Sequence, residues 1–275
     1  MLLWDGLRVQ IPETMAPATL DRGYIRLVGS ELPTVSLRFG PEKQQFHPHR
    51  DGRRILRASG LAEEPLERCR EAWTDHLQGD LYCSSRLYIA HFMKSRSLVA
   101  ALFSAPPPPG TVEEIFMSLA WTPTASWRRW CCYDITFETP PEYLLSKAVF
   151  QPGRFRVTVS KGRSVLRFDR LAPANVLLGE LTLTAWYRKN LYQEIGPEVT
   201  ISPRSDTETD FFRSPSLAYR ILPWLPGLHQ PLRGKIRHLV EGNKILALTE
   251  EGPFAAEAIA GRLHNSYANF PAVKK

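Results

Sequence analysis

The sequence predicts an α+β fold of two tandem similar lobes, each a curved antiparallel sheet packed with helices. Three observations carry this expectation. Short runs alternate apolar and polar residues, the period of half-buried strands. The same succession of runs occurs twice, offset by about 130 residues. Proline accounts for 23 of 275 residues, above the usual ~5%, which favours strands and loops over long helices. With 43% hydrophobic and 23% charged residues, collagen-like, coiled-coil and fully disordered chains are excluded.

In the first copy, alternation predicts strands near 7–11, 23–28 and 34–39. Leu66, Cys69, Trp73 and Leu77 recur at spacings of three and four, an apolar stripe that predicts a helix with Pro65 in its first turn. Strands follow near 84–92 and 97–104, then the loop Pro106-Pro107-Pro108-Pro109-Gly110 and a helix over 111–120. Strand–turn–strand order without regular βαβ alternation points to antiparallel pairing.

The second copy repeats these signals. Leu7 to Pro12-Glu13 is matched by Ile135 to Pro141-Glu142. Gly23-Tyr24-Ile25-Arg26-Leu27 is matched by Gly153-Arg154-Phe155-Arg156-Val157, and Val35 to Phe39 by Ser164 to Phe168. These shifts are 128 to 130. Further on, Ile89-Ala90-His91-Phe92 is matched by Ile236-Arg237-His238-Leu239, and Leu98 to Leu102 by Ile245 to Leu248, at a shift near 147. The difference predicts an insertion in the second copy, a flexible loop near 193–216 rich in Ser, Asp, Thr and Glu. A last helix is expected over 253–266. The lobes are therefore set at 1–132 and 133–275.

This order resembles the Mog1/PsbP/DcrB-like fold, with the apolar strand ending in a Pro-Glu step and the two alternating strands after it carrying the likeness in each copy. The resemblance implies a curved antiparallel sheet packed with helices. That family includes a small-GTPase partner, photosystem assembly factors and secretion-effector chaperones, which share protein binding and no common active site. No functional residue is carried over from it. The chain departs from the family in holding two copies and a long second-copy insertion.

The net charge is +7, from 26 Arg and 9 Lys against 28 acidic residues. A basic balance suits nucleic acid, an acidic membrane surface or an acidic protein. The densest groups are Arg50, Arg53, Arg54, Arg57 and Arg128, Arg129, although basic residues run along the whole chain. Cys69, Cys83, Cys131 and Cys132 form no C-x-x-C pair and read as free thiols, with one of the adjacent Cys131 and Cys132 more buried than the other. The opening residues lack a basic start and a long apolar stretch. The longest apolar run, Leu98 to Phe103, is far below the roughly 18 residues of a membrane span. A soluble, cytoplasmic protein is expected.

No P-loop, G-x-G-x-x-G after a strand, G-x-S-x-G, H-E-x-x-H or EF-hand pattern occurs. His47-Pro48-His49 with Asp51 has the spacing of a chelating pair, but it also reads as a solvated loop entering a helix near Asp51, a candidate N-cap. His91 and His238 hold equivalent positions and suit either general-base work or hydrogen-bonded sheet positions. No metal or cofactor is expected. Trp127-Arg128-Arg129-Trp130 is the candidate binding cluster, since Trp and Arg dominate protein-binding hot spots. It also suits stacked single-stranded bases or packing between the copies. The expected function is a non-catalytic protein-binding or assembly protein, a monomeric pseudo-dimer. The alternatives are a nucleic-acid-binding protein using its Arg-rich surface, and an enzyme with a site between the lobes.

Overall fold

A computed structural model of the chain describes residues 1–42, 44–71, 73, 74, 77, 79–121, 126–190, 199–221, 230–252 and 257–269. The chain divides into two compact units, residues 1–125 with 130–132, and residues 126–129 with 133–275. Among the described residues no helix is long and apolar enough to cross a membrane.

The first unit opens with β1 (Leu2–Trp4) and β2 (Leu7–Val9), which join β10 (Ala120–Trp121) and the Trp130–Cys132 part of β11 (Arg128–Cys132) in the order β10-β2-β1-β11. Its main sheet contains β3 (Met15–Asp21), β4 (Tyr24–Gly29), β5 (Val35–Pro41), β6 (Glu67–Arg68), β7 (Asp80–Cys83), β8 (Leu87–Phe92) and β9 (Ser97–Phe103). The order is β3-β4-β5-β9-β8-β7-β6, antiparallel at every step. Period-two alternation separates two buried faces. One carries Leu87, Ile89 and Ala100 and receives helix α1 (Pro48–Ala58) through Leu56, together with Phe46 and Leu66. On the other face, Tyr88 lies against Phe103 and against Phe116 of α2 (Thr111–Met117).

The second unit holds β12 (Ile135–Thr139), paired with β20 (Ala268–Asn269), and helix α6 (Glu257–Ser266). Its main sheet contains β13 (Leu144–Gln151), β14 (Arg154–Lys161), β15 (Ser164–Leu171), β16 (Thr200–Ser205), β17 (Glu208–Arg213), β18 (Leu232–Leu239) and β19 (Lys244–Glu251). The order is β13-β14-β15-β19-β18-β17-β16, the arrangement of strands seen in the first unit. Registers agree as well: β8 and β9 pair His91 with Leu98, and β18 and β19 pair His238 with Ile245. Helices α3 (Ala174–Leu178) and α4 (Leu183–Asn190) pack on one sheet face through Leu178, Trp186 and Tyr187. A short helix, α5 (Leu217–Ile221), lies between β17 and β18 in the chain.

Several expectations are corrected. Among the described residues of the Leu66–Leu77 stripe no α-helix forms: β6 lies at its start as an edge strand paired to β7, and Leu66 turns into the core beneath α1. The stretch near 193–216 is no flexible loop where it is described, because Thr200–Ser205 and Glu208–Arg213 form an antiparallel hairpin, with Thr209, Phe211 and Arg213 buried. The strand β3 was hidden by Pro17 and by a pattern in which only Met15 and Leu20 are buried. Cys131 and Cys132 are both buried, since both faces of β11 are covered at that point. The final helix is described from Glu257, and the expected start at 253–256 lies outside the described residues.

Gly234 lets β18 pass under the Phe211 ring, which stacks on Tyr187 of α4 at 4.9 Å. A Cβ there would stand 2.1 Å from Phe211 Cζ and 2.4 Å from the Leu248 carbonyl oxygen. Gly234→Ala therefore forces the ring and a strand apart. Urea unfolding is expected to show a loss of about 1–3 kcal/mol, the usual cost of overpacking.

Candidate functional site

The Trp127–Trp130 cluster does not present one surface. Trp130 has no exposed surface, and its indole meets the edge of Trp4 at 5.1 Å and 86°. A fully covered side chain contacts no partner, so Trp130 is corrected to a core residue. Trp127 carries the Arg262 guanidinium over its ring at 4.2 Å, a cation–π contact. Arg262 also donates to Glu138 Oε2 at 2.7 and 3.0 Å, and Arg129 Nε lies 3.5 Å from Glu138 Oε1. Arg128 donates to the carbonyls of Pro141 and Tyr143 at 3.4 Å. These residues tie 127–129 to β12 and α6 within the second unit, which is why that segment belongs to it. Arg262 carried no sequence signal linking it to this segment, because it lies 124 residues from Glu138 along the chain.

The basic residues of the second sheet are largely committed to internal partners. Arg154 and Arg156 meet Asp169 at 3.2 and 2.7 Å, Arg233 meets Glu250 at 2.9 Å, and Lys235 meets Glu208 at 2.6 Å. Lys244 and Arg170 both donate to Asp134, at 2.6 and 2.8 Å. Burial works against ionisation of Asp134, yet these two cations hold its carboxyl below the usual range.

Helix α1 is different. Arg50, Arg53, Arg54 and Arg57 follow the i, i+3, i+4, i+7 spacing that puts residues on one helix face, and all four are exposed. Gly52 and Leu56, on the opposite side, are buried. With His49 and Glu63 the four arginines line an open groove of about 590 Å³. Arg50 grips Asp51 through two N–H groups at 2.9 and 3.2 Å, and this holds the Asp51 carboxyl below its ordinary range. Arg57 Nε donates to Glu63 Oε1 at 2.7 Å. Arg53 and Arg54 have no hydrogen-bond or ion-pair partner among the described residues.

The local fold explains why this face points outward. Pro48 stands in the first turn, where its fixed φ suits a helix and its missing N–H costs nothing. His47, not Asp51, is the N-cap, and the Asp51 carboxylate accepts the His47 backbone N–H at 2.9 Å. One residue earlier, Phe46 is anchored in the core and its N–H donates to Glu42 Oε1 at 2.6 Å. Glu42 Oε2 lies 3.6 Å from His91 Nε2 and 3.7 Å from Arg96 Nε. The Phe46 ring meets His91 edge-on at 5.3 Å.

His91 thus stands beside a carboxylate that anchors the entry to α1, while the His238 backbone N–H donates to the Thr207 carbonyl. They belong to different units. His47 and His49 are exposed at the start of α1. Among the described residues no group of three or more His, Cys, Asp or Glu is placed to hold a metal ion. Arg167 and Arg170 meet separate carboxylates, Glu251 and Asp134.

No protein-family model matches the chain, and no curated protein does. Two solved structures are similar. A point mutant of protein Mog1 is 9% identical with a TM-score of 0.34, covering 54% of this chain and 98% of that one. The Saccharomyces cerevisiae Ran-binding protein Mog1p is also 9% identical, with a TM-score of 0.33, covering 52% and 94%. Both likenesses are weak, and no residue role passes across them.

The Phe46 N–H is the largest influence on Glu42 and lowers its pKa, burial opposes it, and His91 and Arg96 lower it further. A depressed carboxylate contributes stability above its unfolded-state pKa, ~4.3, and loses it as pH falls through the folded value. Glu42→Gln is therefore expected to flatten the acid limb of the stability–pH curve below about pH 5. An unchanged acid limb in chemical unfolding would remove Glu42 as the anchor.

Proposed function

We propose that the chain is a non-catalytic protein-binding or assembly protein that meets its partner over the arginine face of α1. One observation carries this reading: four arginines share the exposed face of α1, and two of them, Arg53 and Arg54, have no hydrogen-bond or ion-pair partner among the described residues, while the opposite side of the helix is anchored in the core. The groove that these arginines line is open and charged, with no apolar enclosure for a small substrate, and suits a segment of a protein surface. Arginine is also among the residues over-represented where protein interfaces concentrate their energy.

The two units are read as copies of one ancestral unit. Their shared strand order and the His–Leu and His–Ile pairs 147 residues apart support this. The reading has the protein act in the cytoplasm as a monomer. Nucleic-acid binding is the second reading, favoured by the clustering of arginines on one face.

Purification of the tagged chain from its own host, after nuclease treatment, separates these readings by mass spectrometry. A stoichiometric protein partner is the expected result. Retained oligonucleotide without protein would favour the second reading, and a chain that purifies alone would overturn both.

A further inference from the structure

We infer that the arginine face of α1 receives an acidic segment of the partner protein, its carboxylates taken up by Arg53 and Arg54; this rests on the protein-binding reading above. The face already shows what it accepts. At one end Arg50 grips the Asp51 carboxylate with two N–H groups, and at the other Arg57 holds Glu63. Between them, Arg53 and Arg54 have the same forked donors and no acceptor among the described residues. Guanidinium groups match carboxylates through paired N–H···O bonds.

Spacing sets how many groups can be accepted. Arg54 lies one turn from Arg50, and Arg53 one turn from Arg57, so side chains in each pair stand about 5–6 Å apart at Cβ. Two incoming carboxylates can each bridge one pair. The two pairs are centred three residues apart, about 4.5 Å of helix rise, within reach of flexible carboxylates on alternate residues of an extended segment, about 6.8 Å apart.

The same features disfavour a nucleic-acid backbone. From Arg50 to Arg57 the helix rises about 10 Å, room for few phosphates. Glu63 lines the groove and Asp51 stands beside Arg50, so a continuous phosphate chain meets fixed negative charge. An acidic peptide places its charges discretely and can avoid both. Exposed ion pairs contribute only ~0–1 kcal/mol each, so several carboxylates are needed, with the pre-formed helix limiting the ordering cost.

The test uses the full chain and fluorescein-labelled octaglutamate, read by fluorescence anisotropy at low salt. Saturable binding is expected, weakened about ten-fold or more by R53A/R54A, the equivalent of about 1.4 kcal/mol. Raising the salt should weaken it too. R22A/R26A, which removes two exposed arginines of the β3–β4 hairpin, should leave it unchanged, and circular dichroism verifies that both variants fold. Undiminished binding by R53A/R54A, no saturable binding, or tighter binding of a short single-stranded oligonucleotide at the same arginines would each overturn the inference. If a co-purifying protein remains stoichiometric on R53A/R54A, the acidic segment is wrong and the protein-binding reading survives. If no protein co-purifies from the host, that broader reading fails whatever octaglutamate does.

Discussion

Helix α1 packs at Gly52 against Leu66, the core residue just before β6. A Cβ at position 52 would stand 1.9 Å from Leu66 Cδ1, so a larger residue would push the Leu66 side chain out of its observed place. That closeness brings Leu56 into the cluster with Phe46, Leu87 and Ile89, and it fixes the helix rotation. Once that rotation is fixed, the residues at 50, 53, 54 and 57 have no direction but outward. The arginine face is thus a consequence of apolar packing on the other side of the helix. Exposed guanidinium groups add little stability themselves, so the core bears the cost of holding four like charges together.

The entry to the helix is fixed by a second device. Phe46 is buried as a side chain, and its backbone N–H is satisfied by Glu42. A buried N–H without an acceptor costs about 1–3 kcal/mol, and the carboxylate removes that penalty. Glu42 in turn has the Arg96 guanidinium at 3.7 Å to balance its charge, with His91 Nε2 at 3.6 Å beside it. Local backbone satisfaction and electrostatics therefore reach from the strand β8 to the first turn of α1, which positions the groove.

Much of the sheet was legible in the sequence. Alternation marked β4, β5, β8 and β9 because each buries residues at every second position on at least one face. The Leu66–Leu77 stripe misled because spacings of three and four over a short stretch also arise where a chain turns: Leu66 enters the core just before β6, and Cys69 follows that strand. The 200–213 hairpin was obscured by polar residues on its exposed side, although Thr209, Phe211 and Arg213 alternate. Trp130 was separable from Trp127 by one signal, the apolar run Trp130-Cys131-Cys132 that continues from it. The spacing of Arg50, Arg53, Arg54 and Arg57 was visible as well, but its meaning depends on Gly52 and Leu56 facing the core, which only the folded chain shows.

The central claim is that carboxylates reach Arg53 and Arg54 while the core beneath α1 stays as it is. Arginine side-chain Nε–H resonances, followed by ¹⁵N NMR as octaglutamate is titrated into the full chain, read this directly. The account predicts shifts for Arg53 and Arg54, with the backbone amides of Leu56, Leu87 and Ile89 unmoved. Shifts confined to other arginines, or none at saturating peptide, would contradict it.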